Sequence, residues 1–222
     1  MSKILFSADH HASHANIILY ANRPFIKAGD THVDDNDNVR WSSSNIARTR
    51  ADEMNEVLIN DWNKVVTDSD TVYHMGDFSF GDPFPILRRL NGRIVLIPGN
   101  HDKSVLDYCY RNQDQSKIRV MGGLPVRGDK VFTIGEIQVF GQTISMSHFA
   151  MKVWNKSHHG AINLYGHSHG SLPESNDSLQ MDIGVDAHYN RFGNYSPFTL
   201  DEVLAVLSKR KFVPIDHHRR ED

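Results

Sequence analysis

The chain is organised around Arg93-Ile94-Val95-Leu96-Ile97-Pro98-Gly99-Asn100-His101-Asp102. The first half is a short apolar run rich in β-branched residues, which predicts a buried strand. The second half turns at Pro98 and Gly99 and then presents an amide, an imidazole and a carboxylate in succession. Polar groups at the mouth of a buried strand are costly unless they have partners. We therefore expect the chemistry of the protein at this turn.

Length and composition limit the class of protein. The chain has 222 residues, enough for one domain with a sizeable core, and we predict a single domain over residues 1–222. The net charge of −3 predicts no general attraction to nucleic acid or to anionic membranes. The single cysteine, Cys109, excludes an intrachain disulfide and a multi-cysteine zinc site. With no signal-peptide pattern and no apolar run near the roughly 18 residues that span a bilayer, we expect a cytoplasmic protein.

Other short apolar runs predict further strands on both sides of this stretch. They lie at 3–8, 71–75, 161–165 and 181–185. Alternating runs broken at Gly135 and Gly141 predict three antiparallel strands at 130–134, 136–140 and 142–146. Apolar residues at helical spacing from Ile46 to Val66 predict a long amphipathic helix, and Thr199 with Glu202 has the form of a capping box before a last helix.

The composition changes between residues 27 and 44. Four aspartates, Asp30, Asp34, Asp35 and Asp37, occur there among few apolar residues. Such a segment cannot bury much surface, so we predict an exposed loop with freedom to move, inserted at about 27–44.

Polar residues follow five of the apolar runs directly. The five polar steps are Asp9-His10-His11, Gly76-Asp77, Gly99-Asn100-His101-Asp102, Ser147-His148 and Gly166-His167-Ser168-His169. Sites in layered α/β folds gather at the carboxyl ends of strands, so these steps can share one space. They would supply Asp9, His11, Asp77, Asn100, His148, His167 and His169. These seven ligands are more than the three that a catalytic zinc ion usually takes from a protein. They suit two metal ions. The mixture of imidazole, carboxylate and carboxamide favours manganese, iron or zinc.

The ordered series Asp-x-His, Gly-Asp, Gly-Asn-His-Asp, a strand-end His and Gly-His-x-His resembles the calcineurin-like metallophosphoesterase superfamily. It extends from Asp9 to Gly170, and residues 22–25 and 151–160 further resemble a small bacterial and phage branch of that superfamily. The resemblance implies a four-layer α/β/β/α sandwich with two central mixed sheets. It also implies that Asp9, His11 and His169 hold one metal, that Asn100, His148 and His167 hold the other, and that Asp77 bridges them.

The same resemblance gives the residues after Asn100 a catalytic role. His101 would bind the phosphoryl group and protonate the leaving oxygen, and Asp102 would hydrogen-bond the His101 imidazole and fix its tautomer. Arg23, within the branch-like segment 22–25, is the first candidate for a basic contact to the phosphate. Asn100 and His101 are further candidates for contacts to substrate.

The function expected is hydrolysis of small phosphodiesters, cyclic-nucleotide-like or nucleotide-like, by a metal-bridging hydroxide. The resemblance leaves two alternatives open: a phosphomonoesterase, including a protein phosphatase, or a metal-binding module without catalysis. The acidic balance argues against long nucleic acid as the substrate. His74 lies inside a predicted strand and is expected to pack in the core. Asp182 and Asp186 are expected to brace loops. For His14, support of the metal ligands and a purely structural role weigh equally.

Overall fold

The computed structural model describes residues 2–112, 114–129, 131–213 and 215, which form a mixed α/β structure. The strands are β1 (Ile4–Ser7), β2 (Thr31–Val33), β3 (Val39–Trp41), β4 (Thr71–His74), β5 (Arg93–Leu96), β6 (Ile118–Val120), β7 (Gly135–Val139), β8 (Gln142–Met146), β9 (Ile162–Tyr165), β10 (Gln180–Asp182) and β11 (Phe198–Thr199). The helices are α1 (Ala15–Tyr20), α2 (Ser44–Val65), α3 (Phe84–Leu87), α4 (Lys103–Arg111), α5 (Val185–Phe192) and α6 (Leu200–Leu207), with a 3₁₀ turn at Ser157–His159. Among these helices, none is both long and apolar enough to cross a membrane.

Two mixed sheets carry the fold. The larger has the order β11-β1-β4-β5-β6, in which β11 alone runs antiparallel to its neighbour. The smaller has the order β10-β9-β8-β7, with β7 antiparallel to β8 and the other pairs parallel. Because parallel neighbours end at the same edge, β1, β4 and β5 deliver the residues that follow them to one place.

Alternation along the strands divides the core in two. Leu5 belongs to a cluster with Trp62 of α2 and Val105 of α4, whereas its neighbour Phe6 belongs to a second cluster with Ile144 of β8 and Val203 of α6. The larger sheet therefore buries both faces, one against helices and the other against the smaller sheet and α6. Burial on both faces explains why its parallel strands are continuous apolar runs.

Several predicted elements are confirmed. The long helix extends over Ser44–Val65 and is capped by the Ser43 hydroxyl, which accepts a hydrogen bond from the Ile46 amide at 3.2 Å. The capping box at α6 is present in both directions between Thr199 and Glu202. β7 and β8 form the expected antiparallel pair.

The predicted strand at 130–134 is wrong for the part that the structure describes. Residues 131–134 have no strand conformation, and Lys130 lies outside the described residues. Gly135 lies inside β7 rather than in a turn, so the chain does not reverse there. A hairpin needs a loop of at least two residues, which a single glycine cannot supply.

The predicted exposed loop at 27–44 is largely exposed but contains a hairpin, β2–β3. Arg50 of α2 donates hydrogen bonds to both carboxylate oxygens of Asp30, at 2.6 and 3.0 Å. Trp41 packs against the cluster that contains Met54 and Leu58. The base of the hairpin is therefore fixed to α2, and Asp30 is a structural residue.

Candidate metal centre

The five polar steps come together, and backbone hydrogen bonds join them. The Asp9 amide donates to the Gly76 carbonyl at 3.0 Å, and the His11 amide donates to the Asp77 carbonyl at 2.9 Å. The Gly166 amide donates to the His148 carbonyl at 3.0 Å, and Ala8 forms a bridge with Gly184. The ends of strands from both sheets thus form one surface.

The predicted ligands form two groups at this surface. Asp9, His11 and His169 offer one set of ligand atoms within 4.8 Å of one another, and Asp77, His148 and His167 offer another. We call Asp9, His11 and His169 the inner triad. The Asn100 amide oxygen lies 2.8 Å from His148 Nε2, and we call Asn100, His148 and His167 the outer triad.

Asp77 lies between the two triads. Its Oδ2 atom is 3.4 Å from Nε2 of His11 in the inner triad. The same oxygen is 3.5 Å from Nε2 of His148 in the outer triad. Its other oxygen, Oδ1, accepts a hydrogen bond from the His101 amide at 2.8 Å. Asp77 is thus placed where a bridging carboxylate would have to be.

Most of these ligands have a backbone conformation that L residues avoid. The residues with positive φ are Asp9 (58°), His11 (47°), Asp77 (56°), His167 (69°) and His169 (49°). Each such residue costs of order 1 kcal/mol and persists only when its surroundings impose it. In the described part of the chain, five of the ten non-glycine residues with positive φ are predicted ligands, and such strain is common at active sites and ligand clamps.

Two glycines allow the ligands to approach one another. A Cβ atom on Gly99 would lie 2.3 Å from Asp77 Oδ1 and 2.7 Å from His148 Cε1. A Cβ atom on Gly166 would lie 2.6 Å from Ala8 Cβ and 2.9 Å from Asp9 Oδ2. These contacts explain why glycine precedes both the Asn-His-Asp and the His-x-His sequences.

The inner triad contains buried polar atoms that lack partners. Both carboxylate oxygens of Asp9 and both ring nitrogens of His11 are buried and have no hydrogen-bond partner among the residues that the structure describes. Burial raises the pKa of the Asp9 carboxyl well above its usual value, and Asp182 and Asp77 raise it further. Buried polar groups in native structures nearly always have a partner. A divalent cation would give these atoms one and would stabilise the ionised Asp9, so the residues fit a metal.

His169 is oriented by a buried ion pair. Its Nδ1 atom lies 2.6 Å from Oδ2 of Asp186, which leaves Nε2 free for a metal. Arg23 donates to both oxygens of Asp186 at 2.8 Å, and to the carbonyls of Asp9 and His10 at 2.7 and 2.9 Å. The prediction that Arg23 contacts the phosphate is wrong. Arg23 is only 2% exposed and neutralises Asp186, and the predicted bracing role of Asp186 is confirmed.

His148 is oriented from the other sheet. Its Nδ1 atom lies 2.7 Å from the Met75 carbonyl, so Nδ1 carries the proton and Nε2 faces Asn100 and Asp77. Burial lowers the pKa of His148, which keeps its ring neutral as a metal ligand requires. The outer triad is therefore preorganised by a backbone carbonyl rather than by a charged pair.

The prediction that Asp102 pairs with the His101 imidazole is wrong. Asp102 is fully buried, and its carboxylate accepts hydrogen bonds from the amides of Asp77, Gly99 and Phe78 at 2.7, 2.8 and 2.8 Å. Three amides that point to one place attract a carboxylate more strongly than an exposed imidazole does. Asp102 therefore shapes the two turns that carry Asp77 and Asn100.

His101 lies on the open side of the centre. Its side chain is exposed, and its ring centroid is 5.7 Å from the rings of His11 and Phe80. The amide bond to Asp77 fixes its backbone beside the predicted bridging carboxylate. The structure is compatible with the predicted role of His101 toward a leaving group, and that role remains a prediction.

Three other residues near the centre, His74, His10 and Asp182, are structural, whereas the two roles weighed for His14 both stay predictions because its ring lies 5.6 Å from that of the predicted ligand His11. His74 is fully buried, as predicted, and its Nε2 lies 2.8 Å from Nδ1 of His10, so His10 turns away from the ligands. His14 stacks on Phe80 with ring centroids 3.9 Å apart. Asp182 accepts hydrogen bonds from the amides of Gly170 and Gly184, both at 2.8 Å. As predicted, Asp182 braces the loops around the inner triad.

Comparison with known proteins supports the fold but does not identify an activity. No family model matches the chain. An uncharacterized protein of Methanocaldococcus jannaschii, MJ1445, is 29% identical in an alignment of 225 positions that covers 96% of each chain. The crystal structure of a protein of unknown function from Aquifex aeolicus, AQ665, matches 93% of this chain and all of that one, with a TM-score of 0.55 and 18% identity. This likeness shows a similar α/β fold.

Proposed function

We propose that this protein is a two-metal phosphoesterase of the calcineurin-like type, acting on small phosphodiesters. The observation that carries the proposal is the position of Asp77, whose Oδ2 lies 3.4 Å from His11 and 3.5 Å from His148. One carboxylate thus connects two groups of ligand atoms. Sites that clamp a phosphate between two metal ions are built in this way.

The inner triad would hold one metal, the outer triad the other, and Asp77 would bridge them. Manganese, iron and zinc all suit this set of imidazole, carboxylate and carboxamide ligands. Bound there, the ions would activate a water molecule and neutralise charge on the phosphate oxygens. The unpartnered atoms of Asp9 and His11 support this occupancy.

The protein itself would supply the proton for the leaving group. A departing alkoxide needs a proton. The His101 imidazole is exposed, and the His101 backbone amide donates a hydrogen bond to Asp77, the predicted bridging carboxylate. Since Asp102 is occupied by backbone amides, the His101 ring is positioned by its own backbone and by neighbouring rings. His101 can therefore turn toward the substrate, because no carboxylate among the described residues hydrogen-bonds its ring.

The proposal includes a four-layer α/β/β/α architecture. Two mixed sheets that share an apolar core, with α2, α3 and α4 packed on the outer face of the larger sheet, support it. In this architecture the ligands lie at one edge where both sheets end.

The test is hydrolysis by the purified protein loaded with Mn²⁺. We expect turnover of bis-p-nitrophenyl phosphate that exceeds turnover of p-nitrophenyl phosphate and that disappears with a chelator. Equal or faster hydrolysis of the monoester would contradict the preference for diesters. No hydrolysis of either ester by protein shown to bind two Mn²⁺ ions would contradict the proposed function and favour a binding module.

A further inference from the structure

A cavity adjoins the outer triad. Its volume is about 570 Å³, and one end is formed by Pro98, Gly99 and the predicted ligand Asn100. Pockets that hold small ligands have volumes of about 300–1,000 Å³. The cavity is therefore large enough for a ligand group that extends beyond a phosphate bound at the metals.

The cavity has one wall on α4 and another on the segment formed by residues 127–129 and 131–132. Lys103, Leu106 and Tyr110 line it from the helix, and Val131 and Phe132 line it from the segment. α4 begins directly after the turn that carries Asn100 and His101, so its wall is fixed relative to the predicted ligands.

Specific contacts hold the second wall to the first. The Tyr110 hydroxyl donates a hydrogen bond to the Pro125 carbonyl. The Arg127 guanidinium lies 5.8 Å from the centre of the Tyr110 ring, and its Nη2 atom lies 3.7 Å from Oδ1 of Asp107. The two walls therefore form a defined cavity, although the segment has no regular secondary structure.

Aromatic rings connect the cavity with the outer triad. Phe132 meets Phe149 edge to face at 5.1 Å between centroids, and Phe149 lies 4.9 Å from His148 and 4.6 Å from His167. Phe132 is 51% exposed and Phe149 is 37% exposed. Exposed aromatic side chains beside a polar site are typical of surfaces that bind an apolar part of a ligand.

Resting on the proposed function, we infer that the cavity binds the nucleobase of a nucleotide ester whose phosphate lies at the metals. A flat ring stacks on phenylalanine whatever its identity. Asp129 and Lys103, which also line the cavity, provide an acceptor for the edge of the base and a cation for the phosphate. An ester without a ring would leave the apolar wall of the cavity exposed to water.

The test is calorimetric titration of the Mn²⁺-loaded protein with adenosine 5′-monophosphate and with ribose 5-phosphate, which differ only in the base. We expect the nucleotide to bind about tenfold more tightly, as one stacked base predicts. Phe132→Ala should remove most of this difference and leave the affinity for ribose 5-phosphate within about twofold. Phe140→Ala is the control, because Phe140 is 97% exposed at the β7–β8 turn.

Equal affinity of the two ligands for the wild-type protein would overturn the inference. So would a preference for the nucleotide that survives in Phe132→Ala. Because binding is measured without turnover, the result can be read even if the protein hydrolyses no ester. Failure of the proposed function and failure of the nucleobase site are therefore separate outcomes.

Discussion

The inner and outer triads differ in how the protein holds them. Asp9 and His11 are buried, and their side-chain polar atoms have no hydrogen-bond partner in the described part of the chain. In the outer triad, His148 is satisfied by the Met75 carbonyl and by Asn100, and both Asn100 and His167 are exposed. On the proposed function, a cation would therefore stabilise the inner triad more than the outer one, and the outer metal would be the more accessible to substrate.

The supporting residues differ in the same sense. Behind the inner triad lies the buried pair Arg23–Asp186, with Asp182 bracing the loops. Behind the outer triad lie a backbone carbonyl and aromatic rings. We infer that the inner metal is bound more tightly and exchanges more slowly, and that the outer metal faces the ester. The predictions below test this difference between the triads.

The largest effect is expected from Asp77→Asn, because Asp77 is the residue that both triads share. Loss of the negative charge should lower the affinity for both metals by more than about 100-fold, which is more than the removal of a supporting residue costs. Metal analysis after dialysis checks this, with Asp35→Asn, an exposed aspartate of the hairpin, as the matched control. Full occupancy of both sites in Asp77→Asn would count against a bridging role.

His101→Ala should affect turnover but not metal content. Removing a general acid lowers kcat by about 10²–10⁴-fold, and the variant should keep both metals because His101 lies outside both triads. His32→Ala is the control, since His32 is exposed on β2. If His101→Ala hydrolysed bis-p-nitrophenyl phosphate at the wild-type rate, the acid would have to be another group.

Asp186→Asn should affect the metal affinity of the inner triad but not that of the outer triad. It removes the acceptor that fixes the His169 tautomer, so affinity for the inner metal should fall by about 10–100-fold while affinity for the outer metal is unchanged. Competition with a fluorescent chelator resolves the two affinities. Equal weakening of both metals would show that the triads are not supported independently.

The smallest effect is a pH dependence of the inner site. The folded-state pKa of Asp9 is raised, so its contribution to the stability of the metal-free protein is present at low pH and lost as the pH rises through that pKa. A metal binds the ionised form, and affinity should therefore rise by up to about tenfold per pH unit below that pKa. The increase in Tm on adding Mn²⁺ should therefore grow as the pH is raised toward the pKa of Asp9. In Asp9→Asn this growth should disappear.

The sequence was sufficient to predict where the ligands lie, because a strand end is a local pattern. A short apolar run followed by Gly-Asp or Gly-His can be recognised without tertiary structure, and the parallel order of β1, β4 and β5 then brings the ends together. The same reasoning predicted α2 and the α6 capping box correctly.

Side-chain partners could not be predicted, because they depend on contacts far apart in the sequence. Arg23 resembled a phosphate-binding residue, yet its partner Asp186 is 163 residues away. Asp102 is adjacent to His101 in the sequence, but the turn directs three backbone amides at its carboxylate. Asp30 is part of a segment with few apolar residues, but Arg50 of α2 binds its carboxylate. Local composition does not record such pairs.

The most direct test of the two-metal centre is an anomalous difference map from crystals of the Mn²⁺-loaded protein. We expect two peaks, one at Asp9, His11 and His169 and the other at Asn100, His148 and His167, with Asp77 in contact with both. A single peak, or two peaks that Asp77 does not join, would contradict the two-metal centre.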